Sequence, residues 1–260
     1  MNHWILLHTH SIMAFIIAIT QIGMWFFLIR SKKNIPIRRW MIFNYTSSSI
    51  WYLDQMIRFS IYPGAEGSLF YKLETVFLYS PAFAMLMIAN FQVYHLFLRP
   101  LFEQERRWLL RMAIPLLLVF MGANAWNEFF NQSDLKGFQI ISFTWGIITN
   151  VGTLIIAVRK ATVLGKEDRN AYKAHLLLGS VSLCYIVLSV VNVIFDLYSP
   201  IGYWTFFILL WLGSIIMIVT YLYYSSIFVS FQIKLAGFSF VTAVTFLTAT
   251  TLVFFRPSCL

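Results

Sequence analysis

Five basic residues, Arg30, Lys32, Lys33, Arg38 and Arg39, stand within ten positions with no acid among them. On each side lies an apolar run long enough to cross a bilayer. A short loop this basic stays on the cytoplasmic side during insertion and so orients the chain around it. At about 20 apolar residues per crossing, the sequence divides into eight runs. They cover 4–29, 41–62, 68–98, 109–130, 137–158, 172–197, 201–231 and 235–255. The expected fold is an all-α membrane protein, a seven-helix transmembrane bundle over residues 1–230. A further transmembrane helix and short tail occupy 231–260.

The loops support this division. Those after the first, third, fifth and seventh runs hold nearly all the basic residues: the opening cluster, then Arg99, Arg106, Arg107 and Arg111, then Arg159, Lys160, Lys166, Arg169 and Lys173, then Lys234. Only Arg58, Lys72, Lys136 and Arg256 fall towards the other face. The same side takes Asp54, Glu66, Glu74, Glu128, Asp134 and Asp196. The N-terminus is therefore expected outside, in a plasma (inner) membrane. Trp4, Trp126 and Trp204 fall at the outer boundary, and Trp40 and Trp108 at the inner one, as interfacial belts require.

Composition narrows the function. Apolar residues make up 60% of the chain and charged ones 11%, against roughly 25% charged in soluble domains. The net charge of +9 sits in short loops between apolar runs, so the bilayer is its expected partner and nucleic acid is not. Cys184 and Cys259 make no disulfide framework. The run from Trp4 to Ile29 is too long for a signal-peptide core and is expected to be retained. Run seven has no lysine for a retinal Schiff base. No nucleotide loop, zinc-protease helix or serine elbow is present, and the chain ends five residues after the last run. No cofactor is expected, and by itself the chain is not expected to be an enzyme.

Ionisable residues inside the runs are the candidates for function, because a charge there is costly and faces the bundle interior. Asp54 and Arg58 are four apart and share a helix face. Glu74 and Lys72 begin the third run across a short turn. His8 and His10 enter from the outer end of the first run, Asn124 and Asn127 end the fourth, and Asn192 and Asp196 end the sixth. Two readings stand: a structural ion pair between Asp54 and Arg58, or an outward-facing polar cavity for a small-molecule ligand lined by Asp54, Arg58, Glu74, His8, His10 and Asn192. His8 and His10 lie roughly 200° apart on a helix and cannot share one metal ion. His95 and His175 are expected as interfacial residues near the inner ends of runs three and six. Asn44, Ser47, Ser48, Ser49, Asn90 and Asn150 are read first as packing residues. Pro81 and Pro115 are expected to kink their helices, and Asn131 begins a glycosylation triplet.

The layout resembles the N-terminal seven-helix sensor region of bacterial receptor histidine kinases and related diguanylate or adenylate cyclases. The resemblance covers roughly residues 1–226. It lies in the basic loop after the first run, Trp51-Tyr52-Leu53 in the second, the long third run ending near Arg99, and the basic loop from Arg159 to Lys173. It implies an outward-facing sensor relaying to a cytoplasmic kinase or cyclase effector lacking from this chain. The eighth run departs from the pattern. A small-solute transporter or channel is the alternative, with the same polar residues lining a route. A lipid-modifying membrane enzyme would need a compact catalytic set that the sequence does not assemble.

Overall fold

A computed structural model of the chain describes residues 3–30, 36–61, 68–131 and 135–195, together with 212–217, 219–221, 223 and 224. Among these residues every regular element is a helix. Helix α1 is His3–Arg30, α2 Pro36–Ile61 and α3 Leu69–Glu74. A π-helical turn, Thr75–Tyr79, leads without a break into α4, Ser80–Leu96. Helices α5, Glu103–Phe129, α6, Leu135–Leu164, and α7, Arg169–Phe195, follow. The first six apolar runs thus correspond to six helical rods, displaced by a few residues at their ends.

Four described rods are long and apolar enough to cross a membrane: Leu69–Leu96, Glu103–Phe129, Ile140–Leu164 and Arg169–Val190. Helix α1 carries a shorter apolar stretch, Ser11–Phe26. Helix α2 has the length, but Asn44, the three serines at 47–49, Asp54 and Arg58 dilute its apolarity. Expected spans seven and eight fall largely, and the 231–260 segment entirely, outside the described residues; Leu212–Tyr221 is apolar helix where described.

Helix α4 is the centre of the bundle and packs against α2, α5 and α6, while α1 lies against α2 and α7 against α6. The distribution of polarity is the reverse of that in a water-soluble bundle. Thr20, Gln21, Asn44, Asp54, Gln92, Asn150, Thr153 and Ser182 are buried. Phe15, Ile19, Phe77, Ile114, Leu118, Val119, Ile148, Ile155, Leu183 and Val187 are exposed. Water-soluble monomers rarely expose so many large apolar side chains together, whereas a bilayer accommodates them.

Small residues let the helices approach. On α6 the buried positions Asn150, Thr153, Ala157 and Ala161 fall on one helical stripe, and Ala171, Ala174, Leu178 and Ser182 form the facing stripe on α7. A Cβ placed on Gly179 would lie 3.5 Å from Ala157 Cβ, so the seam is in van der Waals contact. Polar groups knit it further. Thr153 and Ser182 hydroxyls meet at 2.8 Å, Ser182 donates to the Tyr94 hydroxyl at 2.9 Å, and Tyr94 donates to the Leu178 carbonyl at 2.8 Å. One chain of hydroxyls thus joins α4, α6 and α7.

The polar stretch of α2 behaves as packing residues. Asn44 Nδ2 donates to Asn90 Oδ1 at 2.7 Å across the α2–α4 seam. Ser49 returns its hydroxyl to the Tyr45 carbonyl at 2.7 Å, and on α6 Asn150 Nδ2 donates to the Gly146 carbonyl at 2.8 Å.

Candidate functional site

The C-terminal end of α2 and the start of the third rod meet around one guanidinium. Arg58 Nε donates to Asp54 Oδ2 at 2.9 Å, one helical turn back. Its Nη2 lies 2.6 Å from Glu74 Oε2 and donates to Thr75 Oγ1 at 2.9 Å. Nη1 donates to the Tyr71 hydroxyl at 3.1 Å. The rings of Tyr71 and Tyr79 each lie 4.8 Å from the guanidinium carbon, close enough for cation–π attraction. The side chains of Arg58, Asp54 and Glu74 are only 8%, 0% and 7% exposed.

The backbone explains how four residues of the third rod reach Arg58. Proline has no N–H and its ring collides with the carbonyl four residues earlier. Just ahead of Pro81 the helix widens: the Ser80 N–H bonds back to the Thr75 carbonyl, five residues away. Ser80 Oγ also donates to that carbonyl at 2.7 Å. The expected kink at Pro81 is thus a π turn, a feature often found at functional sites. It carries Thr75 and Tyr79 at its two ends. Below them Trp51, Tyr79, Phe83, Phe120 and Trp145 form a continuous aromatic layer, with Tyr79 and Phe83 stacked at 5.8 Å. The ions therefore border a layer of aromatic rings.

Of the residues expected to line the cavity, Asp54, Arg58 and Glu74 come together. His8, His10 and Asn192 lie on α1 and α7, with side chains outside the described residues. Ser11, one turn from His8, donates to the Met56 carbonyl and hydrogen-bonds Ser60, so the first turns of α1 pack against the last turns of α2. The pairing of Asp54 with Arg58 was legible from spacing. The contributions of Tyr71, Thr75 and Tyr79 were not singled out, although they recur at helical spacing ahead of Pro81.

A second cluster lies at the opposite end of α4. Lys160 is fully buried, and its ammonium donates to the carbonyls of Tyr94, His95 and Phe97 at 3.1, 2.9 and 2.8 Å. Tyr94 and His95 carry two of the carbonyls left without intrahelical partners where α4 ends, the Phe97 carbonyl also accepts from the Arg99 N–H at 2.7 Å, and a cation there meets the negative end of the helix dipole. Lys160 thus belongs to the interior rather than to the loop where its sequence position placed it. Leu98 and Phe102, both with positive φ, make the turn into α5. Arg159 pairs with Glu105 at 2.9 Å and lies over the Phe102 ring, while Arg99 pairs with Glu167 at 3.0 Å.

His95 and His175, expected at the interface, are buried too. His175 Nδ1 meets the Ala171 carbonyl at 2.7 Å and its ring sits edge-on to Phe97 at 5.5 Å. Among the described residues no group of three metal-ligating side chains exists.

No family model, curated protein or solved structure matches the chain. The likeness to receptor sensor regions therefore rests on sequence layout, and the site must be interpreted from its own chemistry.

Proposed function

We propose that the chain is an integral membrane receptor module, with the Arg58 cluster as its outward-facing sensing site and the loops around Lys160 as its cytoplasmic output. The observation that carries this reading is the third rod. It holds Glu74, Thr75 and Tyr79 against Arg58 at one end and the Lys160-capped carbonyls at the other, roughly 30 Å apart at 1.5 Å per residue. A π turn at the sensing end is a place where a helix can change register locally. A stimulus that favours one packing of α2 against the third rod would then move the inner turn, provided it binds the two packings unequally. The apolar exterior supplies the lipid contact, and a kinase or cyclase in the same membrane would take up the output.

The engagement of Asn44, Ser49, Asn90 and Asn150 with each other or with their own backbones favours a receptor over a small-solute transporter, because it commits the donors of Asn44, Ser49 and Asn150 to protein acceptors.

The test uses spin labels at Gln104, in the first turn of α5, and Lys166, between α6 and α7, in lipid nanodiscs. Arg58→Met, which dissolves the cluster, should shift or broaden the distance distribution between them. An unchanged distribution in a folded Arg58→Met protein would end the relay reading.

A further inference from the structure

Two carboxylates share one guanidinium here, and the charges do not balance. Asp54 and Glu74 each place one oxygen on Arg58. Their other oxygens, Asp54 Oδ1 and Glu74 Oε1, are buried and meet no hydrogen-bond donor among the described residues. No other described cation pairs with either acid. The nearest in sequence, Lys72, places its ammonium by the Phe129 ring on α5, 5.9 Å from its centroid. With both acids ionised the cluster would carry one excess negative charge above an aromatic floor. An uncompensated charge in such surroundings costs several kcal/mol, and an orphaned buried carboxylate oxygen adds to it.

We propose that the Asp54–Glu74 pair holds one exchangeable proton, so that the stimulus sensed at this site is acidity on the outer side of the membrane. Two buried acids held on one guanidinium repel each other's charge and commonly ionise only once between them. Protonation supplies the missing positive charge and turns an orphaned acceptor into a donor. The proton comes from outside water and returns there; no other bond is made or broken. A sodium ion would fit poorly, since hard metal cations take several oxygens and, apart from the Glu74 oxygen that faces Arg58, each acid offers one unpartnered oxygen.

Other titratable groups face this region and must be separated from it. Tyr71 and Tyr79 approach from the third rod and already contact Arg58. Glu128 is buried towards the same end of α5, and His8 and His10 lie near the start of α1. The proposal extends the receptor reading by naming its stimulus, yet its test needs no signalling output.

Infrared difference spectroscopy of the full chain in nanodiscs, recorded between acid and alkaline pH with and without deuterium exchange, reads protonated carboxyl groups directly. A deuterium-sensitive carboxyl band should be present at neutral pH and disappear on raising the pH. It should be lost or moved in Glu74→Gln and in Asp54→Asn, and persist in Glu128→Gln and in the double variant His8→Gln/His10→Gln. If one acid variant does not fold, the other decides. Absence of the band in the wild-type protein, or its persistence in the folded acid variants, overturns the proposal. So does its loss in the Glu128 or histidine variants. Stabilisation by sodium chloride over choline chloride in place of a band assigns the site to a metal cation and also overturns it. Unchanged spin-label distances with the band intact would remove the relay and leave the proton site standing.

Discussion

Lys160 Nζ donates to the Phe97 carbonyl at 2.8 Å across sixty-three residues of chain. Through that bond and its two companions, α6 closes the end of α4. Replacing Lys160 with Met keeps most of the side-chain volume and leaves three buried carbonyls without the ammonium. Hydrogen bonds to charged groups contribute about 1.5–3 kcal/mol each, less the cost of burying the charge. A net loss of about 2–4 kcal/mol is expected. Thermal melts in one detergent should show it as a clear fall in Tm. A Lys160→Met protein that melts with the wild type would mean that the carbonyls find other donors.

Arg58 should be less replaceable than its charge alone implies. Its planar fork reaches Asp54, Tyr71, Thr75 and Glu74 at once and lies 4.8 Å from each of two tyrosine rings. Lysine cannot reproduce that set. Arg58→Lys should therefore destabilise by about 1–3 kcal/mol, and Arg58→Ala by more, because it strands two buried acids. Combining Arg58→Ala with Asp54→Ala should cost less than the sum of the two single changes, with a coupling of about 1–3 kcal/mol. Additive losses would show that the pair does not interact.

The contrast between the two clusters explains what could be seen in the sequence. Hydropathy and loop charge gave the helical rods nearly to their ends, since bilayer thickness and the side preference of lysine and arginine act through composition. Asp54 and Arg58 were visible because a separation of four is a contact on any helix. Glu74 came with them because a short turn returns the chain to the same level. Lys160 was misplaced for the same reason that the rods were found. Its neighbours Arg159 and Lys166 are exposed loop-end cations, and nothing local distinguishes a lysine that turns inward. Its partners are backbone carbonyls on another helix, which have no sequence signature. The buried histidines were hidden likewise, since burial of a polar ring depends on which helices happen to cover it.

Pro81 should be needed for the register of the site. With Pro81→Ala the N–H at that position returns and the π turn can relax to an α-helix, rotating Thr75 away from Arg58. Thr75→Val removes the hydroxyl that accepts from Arg58 Nη2, at an expected cost of about 1 kcal/mol. In the Pro81→Ala background the same change should be close to neutral. The coupling measured across that cycle would then be about 1 kcal/mol. Equal costs in both backgrounds would show that the widened turn does not depend on the proline.

Gly152 sets the distance between α6 and α4. A Cβ there would stand 2.6 Å from Phe91 Cε1 and 2.7 Å from Cζ, so the ring must move to admit even alanine. Gly152→Ala should be mild, because a half-buried ring can swing. Gly152→Val should destabilise by about 1–3 kcal/mol, as overpacked positions do. Phe91→Leu in the same chain should recover part of that loss. No recovery would place the clash with some group other than the Phe91 ring.

The orientation of the bundle can be checked by chemistry alone. Gln104, in the first turn of α5, and Lys166, between α6 and α7, lie at the end of the bundle assigned to the cytoplasm, and both are exposed. Asn131 is exposed in the loop at the opposite end of α5. In a background with Cys184 and Cys259 replaced by serine, single cysteines are placed at these three positions and treated with a membrane-impermeant thiol reagent in intact cells. Position 131 should label from outside, whereas 104 and 166 should label only after the membrane is opened. The carboxyl pair would then face the exterior, where acidity varies most. Labelling of 104 and 166 in intact cells would turn the molecule over and place Asp54, Glu74 and Arg58 on the cytoplasmic side, where they could not report on the medium.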